Sequence, residues 1–279
     1  MQIKQRQDIW KAGIVFGIAL FILNSAIFVW LGRVNADEGW YLYASKLVYA
    51  GYLPYKDFAF TQTPLLPYIY GIPQLFFQSL YLGRITSVVF STATFLLSLR
   101  IAENYGGKMA TAIAALLGAT FSNGIYAQAT TTTFALTSFF LMAAFFVLSS
   151  NLRQNHKAVL AVVFVIMATL SRLSAAFFAI PFVVYAFMIA DKKGRLIILG
   201  LCLATLAGML LLISANIDGA IWGLVGYHTG QWGDKSLLER AATIAGLRIP
   251  ALLLGYSYYF LLWATVFFLW LSRIRARIK

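Results

Sequence analysis

Apolar residues in this chain run in unbroken stretches, and about eight of them have the length of a bilayer crossing: 12–31, 82–101, 108–126, 129–150, 158–171, 173–190, 196–215 and 250–271. A hydrocarbon core takes roughly 20 such residues per helix. Continuous runs also exclude a transmembrane β-barrel, whose strands alternate apolar and polar residues. A soluble fold is excluded on composition, because 61% of the residues are hydrophobic and only 11% are charged, against roughly 25% charged in ordinary soluble chains. The single cysteine, Cys202, lies inside an apolar run and rules out a disulfide scaffold. The expectation is an all-α, polytopic transmembrane protein forming one transmembrane domain over 1–279, with no separate soluble domain. The first run is longer than a signal-peptide core and reads as an uncleaved first helix.

The net charge of +13 reads as an orientation signal. With the N-terminus inside, the inner stretches hold 14 Lys and Arg and the outer stretches 8, while six of the nine acids fall outside. The inner loops are short, which is where the positive-inside bias acts. Both termini are therefore expected in the cytoplasm, in a plasma (inner) membrane, and no nucleic-acid partner is expected. Two outer loops are long, at about 32–81 and 216–249, and chemistry is expected on that face.

Residues 158–190 hold two apolar segments in 33 residues, fewer than two full spans require. Basic residues flank both ends, so the crossings must pair. A short helical hairpin satisfies both conditions and puts Arg172 at a tip below the outer surface. An arginine there needs a polar cavity or an anion.

The first outer loop holds four of the six prolines and eight of the fifteen tyrosines. Asn35 or Asp37 can cap a helix ending near Ala50, with Gly51 as its stop. Trp40, Ala44, Leu47 and Val48 form the expected stripe of an amphipathic interfacial helix, and a second short helix starts near Pro64. Asp37 and Glu38 are adjacent, so they point about 100° apart on a helix: one can cap or bind while the other acts as a base. No spaced His, Cys or acid cluster suggests a metal site, and no cofactor is expected, with a divalent ion left open. The Gly13-x-x-x-Gly17 step reads as helix packing, and the Thr130–Thr133 run as a tight outer turn.

The order of these features resembles the GT-C glycosyltransferases of the protein O-mannosyltransferase and aminoarabinose-transferase type. The segments that carry the likeness are Asp37-Glu38, Tyr41 and Tyr43, Gly51-Tyr52-Leu53-Pro54-Tyr55-Lys56-Asp57-Phe58, Thr63-Pro64-Leu65 and Arg84, strongest over about 30–105. The resemblance implies a membrane transferase that takes a sugar from a polyprenyl-phosphate donor and passes it to a glycan, lipid or protein acceptor. It implies Asp37, or Glu38, as catalytic base, and Arg84, Arg172 and Lys56 as ligands of the donor phosphate. Tyr41, Tyr55, Asp57, Gln62 and His228 are the expected substrate-lining residues. The chain departs from the family pattern at Thr61-Gln62-Thr63-Pro64, where many members carry His or Lys, and at Thr130–Thr133, where many carry an acid.

The chemistry fits the residues. A phosphate leaving group needs cationic stabilisation, and a hydroxyl acceptor needs a carboxylate to take its proton. One base and one displacement invert the anomeric centre. Two rival readings are a non-catalytic membrane subunit that binds lipid-linked sugar and a lipid or sugar transporter. The largely apolar helix interiors disfavour the transporter.

Overall fold

The computed structural model describes residues Gln2–Tyr227. The chain divides into two compact units, Met1–Val225 and Gly226–Lys279. The described residues are helical, without strands, apart from an isolated bridge between Pro54 and Phe58. In chain order the helices are α1 (Gln2–Leu31), α2 (Ala36–Tyr49), α3 (Leu65–Gln74), α4 (Leu80–Thr120), α5 (Ser122–Ala129), α6 (Thr133–Ser149), α7 (Gln154–Ser171), α8 (Ala176–Ile189), α9 (Lys192–Ser214) and α10 (Ile217–Ile221). This is the all-α polytopic class.

Four of these helices, α1, α4, α7 and α9, are long and apolar enough to cross a membrane, and the bent pair α5–α6 brings the number to five if it is taken as one span. The expected eight are not reached among the described residues. The 14-residue α8 is short of a span. The third expected span, 108–126, is taken up by the second limb of α4, which runs from the break at Gly107 to Thr120, and by the start of α5. The eighth, 250–271, lies outside the described residues.

The helical run of α4 is broken at Gly107, whose φ of 66° and ψ of −165° no helix contains. Its two limbs fold back on each other, with the Phe95 ring against the α-carbon of Gly118. Only glycine adopts this conformation without a Cβ clash. The GxxxG step of α1 packs as expected: a Cβ on Gly17 would stand 2.7 Å from that of Ala115, and one on Gly13 3.4 Å from that of Ala112. Small residues here let α1 approach the second limb of α4 closely. Phe21 stacks on Phe95 beside them, ring centroids 4.1 Å apart.

α7 and α8 form the expected short hairpin. α7 ends at Ser171, a 3₁₀ turn spans Leu173–Ala175, and Arg172 is the tip residue between them. In the segment between α1 and α4, α2 stops before Gly51, which takes φ 91°. Its buried face is Glu38, Tyr41, Ala44, Ser45 and Val48, which corrects the expected stripe: Trp40 is exposed. α2 turns this face to protein, with Tyr41 edge-on to Phe60 and Tyr49 donating from its hydroxyl to the Tyr68 carbonyl of α3 at 2.9 Å. Below α2 and α3 a cluster containing Tyr41, Leu136, Phe140, Ala168, Ala175 and Ala220 joins α2, α6, α7, the hairpin tip and α10.

Candidate active site

Asn35 caps α2. Its side-chain oxygen accepts from the Asp37 amide at 2.9 Å, and the Glu38 carboxylate reaches back to the Asn35 amide at 2.9 Å, completing a capping box. The cap leaves Asp37 exposed on the first turn, in no ion pair among the described residues.

Glu38 is fully engaged. Arg84 Nε donates to its Oε1 and Nη2 to its Oε2, both at 2.8 Å. The Thr131 amide adds a third donor at 2.9 Å. Burial pushes this carboxyl up, but Arg84 and the Thr131 and Asn35 amides outweigh it and hold the group below the ordinary carboxylate range. Arg84 has no N–H to spare: Nη1 donates to the carbonyls of Val29 (3.0 Å) and Gly32 (3.1 Å), and Nη2 also to that of Arg33 (3.0 Å). These carbonyls close the C-terminus of α1, where a cation is favoured by the helix dipole. The Arg84 side chain is 2% exposed and that of Glu38 0%. This geometry departs from the phosphate-ligand role expected of Arg84 and the base role allowed to Glu38, because neither has a free polar atom turned to solvent. Together they tie α1, α2, α4 and the α5–α6 linker into one corner.

The Thr130–Thr133 linker is more than a turn. All four threonines are buried at a 104° bend between α5 and α6. Thr130 accepts on its carbonyl from the Ser87 hydroxyl (2.8 Å), which meets the Tyr70 hydroxyl (2.9 Å). Thr131 serves Glu38, and Thr133 accepts on Oγ1 from Arg172 Nη1 at 3.0 Å. The linker thus separates the buried cation, Arg84, from the accessible one, Arg172. The sequence reads this run as a tight turn only; four hydroxyl residues in a row between two apolar segments were the available signal for its buried polar contacts.

Arg172 is half-buried. Besides Thr133 it donates from Nε to the Ser174 hydroxyl at 2.9 Å, and its guanidinium lies over the Phe134 ring, 4.4 Å from the centroid. No carboxylate pairs with it among the described residues.

The remaining expected residues fall into two groups. Tyr41 and Tyr55 are built into the core cluster, and Gln62 is half-buried. Tyr55 takes φ 69° at the Pro54–Phe58 turn, is 2% exposed, and donates to the Gln62 carbonyl at 2.6 Å; burial pushes its phenol up. Asn216, at the start of α10, donates to the Tyr55 carbonyl at 3.1 Å and so docks this turn on α10. Lys56 and Asp57 stand exposed at the turn, where Asp57 accepts from the Leu53 amide at 2.8 Å. His228 lies outside the described residues. No group of three or more His, Cys, Asp or Glu that could hold a metal occurs among the described residues.

Comparison with protein families matches residues 61–222 to the dolichyl-phosphate-mannose-protein mannosyltransferase family, over half of the 279-residue chain. The chain belongs to this family. Membership makes it a membrane glycosyltransferase of the GT-C type, a class that works with lipid-linked sugar. The segment matched to the mannosyltransferase family takes in Gln62, Arg84 and Arg172, while Asp37, Glu38, Tyr41, Tyr55, Lys56 and Asp57 precede it. No curated protein and no solved structure matches the chain.

Proposed function

We propose that this chain transfers a sugar from a polyprenyl-phosphate donor to an acceptor hydroxyl at the outer face of a plasma membrane, with both termini in the cytoplasm, Asp37 as base and Arg172 on the donor phosphate. The observation that carries the reading is the division of labour in the acidic pair. Glu38 is consumed by the cap and by Arg84, so Asp37 is the carboxylate of that turn still exposed. Asp37 lies one helical turn from Tyr41 on α2, and Tyr41 shares a buried cluster with Ala168 and Ala175, which flank Arg172 in sequence. This common cluster supports a base and a cation on one rim.

In the proposed step the Asp37 carboxylate takes the acceptor hydroxyl proton as that oxygen attacks the anomeric carbon. The bond from that carbon to the phosphate oxygen breaks with its electron pair on the phosphate, and the sugar inverts. Arg172 meets the developing charge with the planar fork that suits phosphate. The buried Arg84–Glu38 corner fixes the start of α2 and hence the base.

Asp37→Asn tests the reading. It keeps volume, and the cap belongs to Asn35, so thermal stability should be unchanged. Transfer from a polyprenyl-phosphate sugar should fall by at least about 10²–10⁴, the usual worth of a general base. Substantial transfer by the variant would move the base elsewhere, and no transfer by the wild-type protein with any lipid-linked sugar would favour a binding subunit.

A further inference from the structure

The span expected over 108–126 is interrupted part-way. The second limb of α4 ends at Thr120, Phe121 takes φ −77° and ψ 75°, and α5 starts at Ser122. The limb rises only about 20 Å, short of a hydrocarbon core of about 30 Å. Asn24 of α1 marks the depth of the break, its amide donating to the Ala119 carbonyl at 2.8 Å. It stands about 10 Å along the axis from Leu31, the end of α1. The first hydrogen bond of α5 runs from the Ile125 amide to the Phe121 carbonyl at 2.9 Å, and no side chain caps that end. The amides of Ser122, Asn123 and Gly124 therefore stand ahead of the helical ladder. At membrane depth such backbone is tolerated where it is buried in protein or lines a water-filled cavity.

A small cavity of about 130 Å³ lies at the break, between α1, both limbs of α4 and α5. Gly118 and Gly124 bring bare backbone to its wall, and Ser91, Thr94, Ser98 and Gln128 supply its polar side chains. Positions 91, 94 and 98 share one face of α4. The Thr94 and Ser98 hydroxyls donate to the carbonyls of Phe90 and Thr94, each at 2.8 Å, and their oxygens can still accept. Ser91 is 3% exposed. Neither its hydroxyl nor the Gln128 amide meets a partner among the described residues. Ser25 of α1 offers a contrast: its hydroxyl is also unpartnered, but it is sealed in protein and outside this lining.

We propose that this cavity is an internal hydration site, in which ordered water joins the Ser91 hydroxyl to the Gln128 amide and serves the backbone left open at the break. The volume suits a few water molecules, each taking about 30 Å³ in the liquid. A buried water needs two to four polar partners, and the three hydroxyls and one amide supply them. An ion does not suit the site, because no charged residue lines it and an unpaired charge withdrawn from water is costly. A hydrocarbon chain would leave Ser91 and Gln128 unsatisfied. Water thus gives α5 a polar seat inside the helix bundle, and α5 leads into the linker that holds Glu38 through Thr131 and Arg172 through Thr133. The site is independent of which sugar or donor the chain handles.

Water-edited solid-state NMR of the full chain in liposomes tests the proposal. Ser91 is the probe, its signals identified by their loss in Ser91→Ala. Magnetisation starting on water should reach Ser91 several-fold faster than the Leu117 methyls, which are 40% exposed on the outside of α4. Transfer to Ser91 no faster than to Leu117 overturns the site. Transfer to Ser91 that is faster from lipid acyl protons than from water assigns the cavity to a lipid and also overturns it. Thermal melts give a second reading. Removing a sealed, unpartnered hydroxyl should raise the melting temperature by about 2–4 °C, and Ser25→Ala is expected to do so. Removing a hydroxyl bonded to water brings no such gain, so Ser91→Ala should leave the melting temperature unchanged or lower it. A rise for Ser91→Ala as large as that for Ser25→Ala marks a dry hydroxyl and overturns the proposal.

Discussion

Arg84 meets Glu38 across 46 residues of chain through two parallel hydrogen bonds of 2.8 Å, with both side chains withdrawn from solvent. The remaining donors of Arg84 close the end of α1, and the remaining acceptor capacity of Glu38 takes the Asn35 and Thr131 amides. A buried pair of this kind is satisfied only as a set.

Removing either member should therefore unfold the corner where α1, α2 and α4 meet. Arg84→Gln leaves a buried carboxylate with two amides alone, and such half-pairs cost about 3–5 kcal/mol. Glu38→Gln leaves the guanidinium without a counter-charge and should cost a similar amount. Denaturant titration of the purified protein in detergent measures both. Arg84→Gln with normal stability but lost binding of polyprenyl phosphate would return Arg84 to the donor site.

The same pair sets a response to acid. The Glu38 carboxyl is held below its ordinary value, so its contribution is fully present above the unfolded value of about 4.3. It is lost as pH falls through the lower folded value. Melting temperature should drop on acidification below about pH 4, and Glu38→Gln should flatten that part of the profile. An identical acid profile in wild type and Glu38→Gln would refute the linkage.

Topology can be read by labelling. In a Cys202→Ser background, Lys56→Cys and Asn151→Cys both place a thiol at an exposed position. An impermeant maleimide should modify the first in intact cells and the second only after lysis. Modification of Asn151→Cys in intact cells would invert the proposed map.

At Gly107 a side chain should be costly although there is room for one. No atom would lie within 4 Å of a Cβ there, but φ is +66°. Backbone of this kind costs of order 1–3 kcal/mol for other residues. Gly107→Ala should lower stability by that amount, and Gly106→Ala offers no parallel, since its Cβ would meet Ala110 at 2.5 Å. A Gly107→Ala protein as stable as wild type would mean that the limbs of α4 can reverse some other way.

Local patterns were legible where one segment decides the outcome. Asn35 as a cap, Gly51 as a stop, the Gly13–Gly17 contact and the Arg172 tip all follow from spacing within a few residues of chain. The role of Arg84 did not, because periodicity reveals that a cation enters a crossing and not which distant carbonyls await it. Its acceptors come from 28–33 and 38, the amide that completes Glu38 comes from 131, and no local rule joins them. The stripe of α2 failed for a related reason. Amphipathicity identifies a buried face, but membrane and protein can each cover it, and here Phe60 and α3 do.

The Glu38–Arg84 corner also fixes an order of assembly. Chains emerge N-terminus first, so α1 and Glu38 are made before their cation, and Thr131, 93 residues after Glu38, arrives last. Until Arg84 enters, the α1 carbonyls and Glu38 must remain hydrated at the membrane edge. Insertion of the second crossing then carries a guanidinium into a place already lined with acceptors. The helix that carries a buried guanidinium is thus received by acceptors from the part of the chain that precedes it.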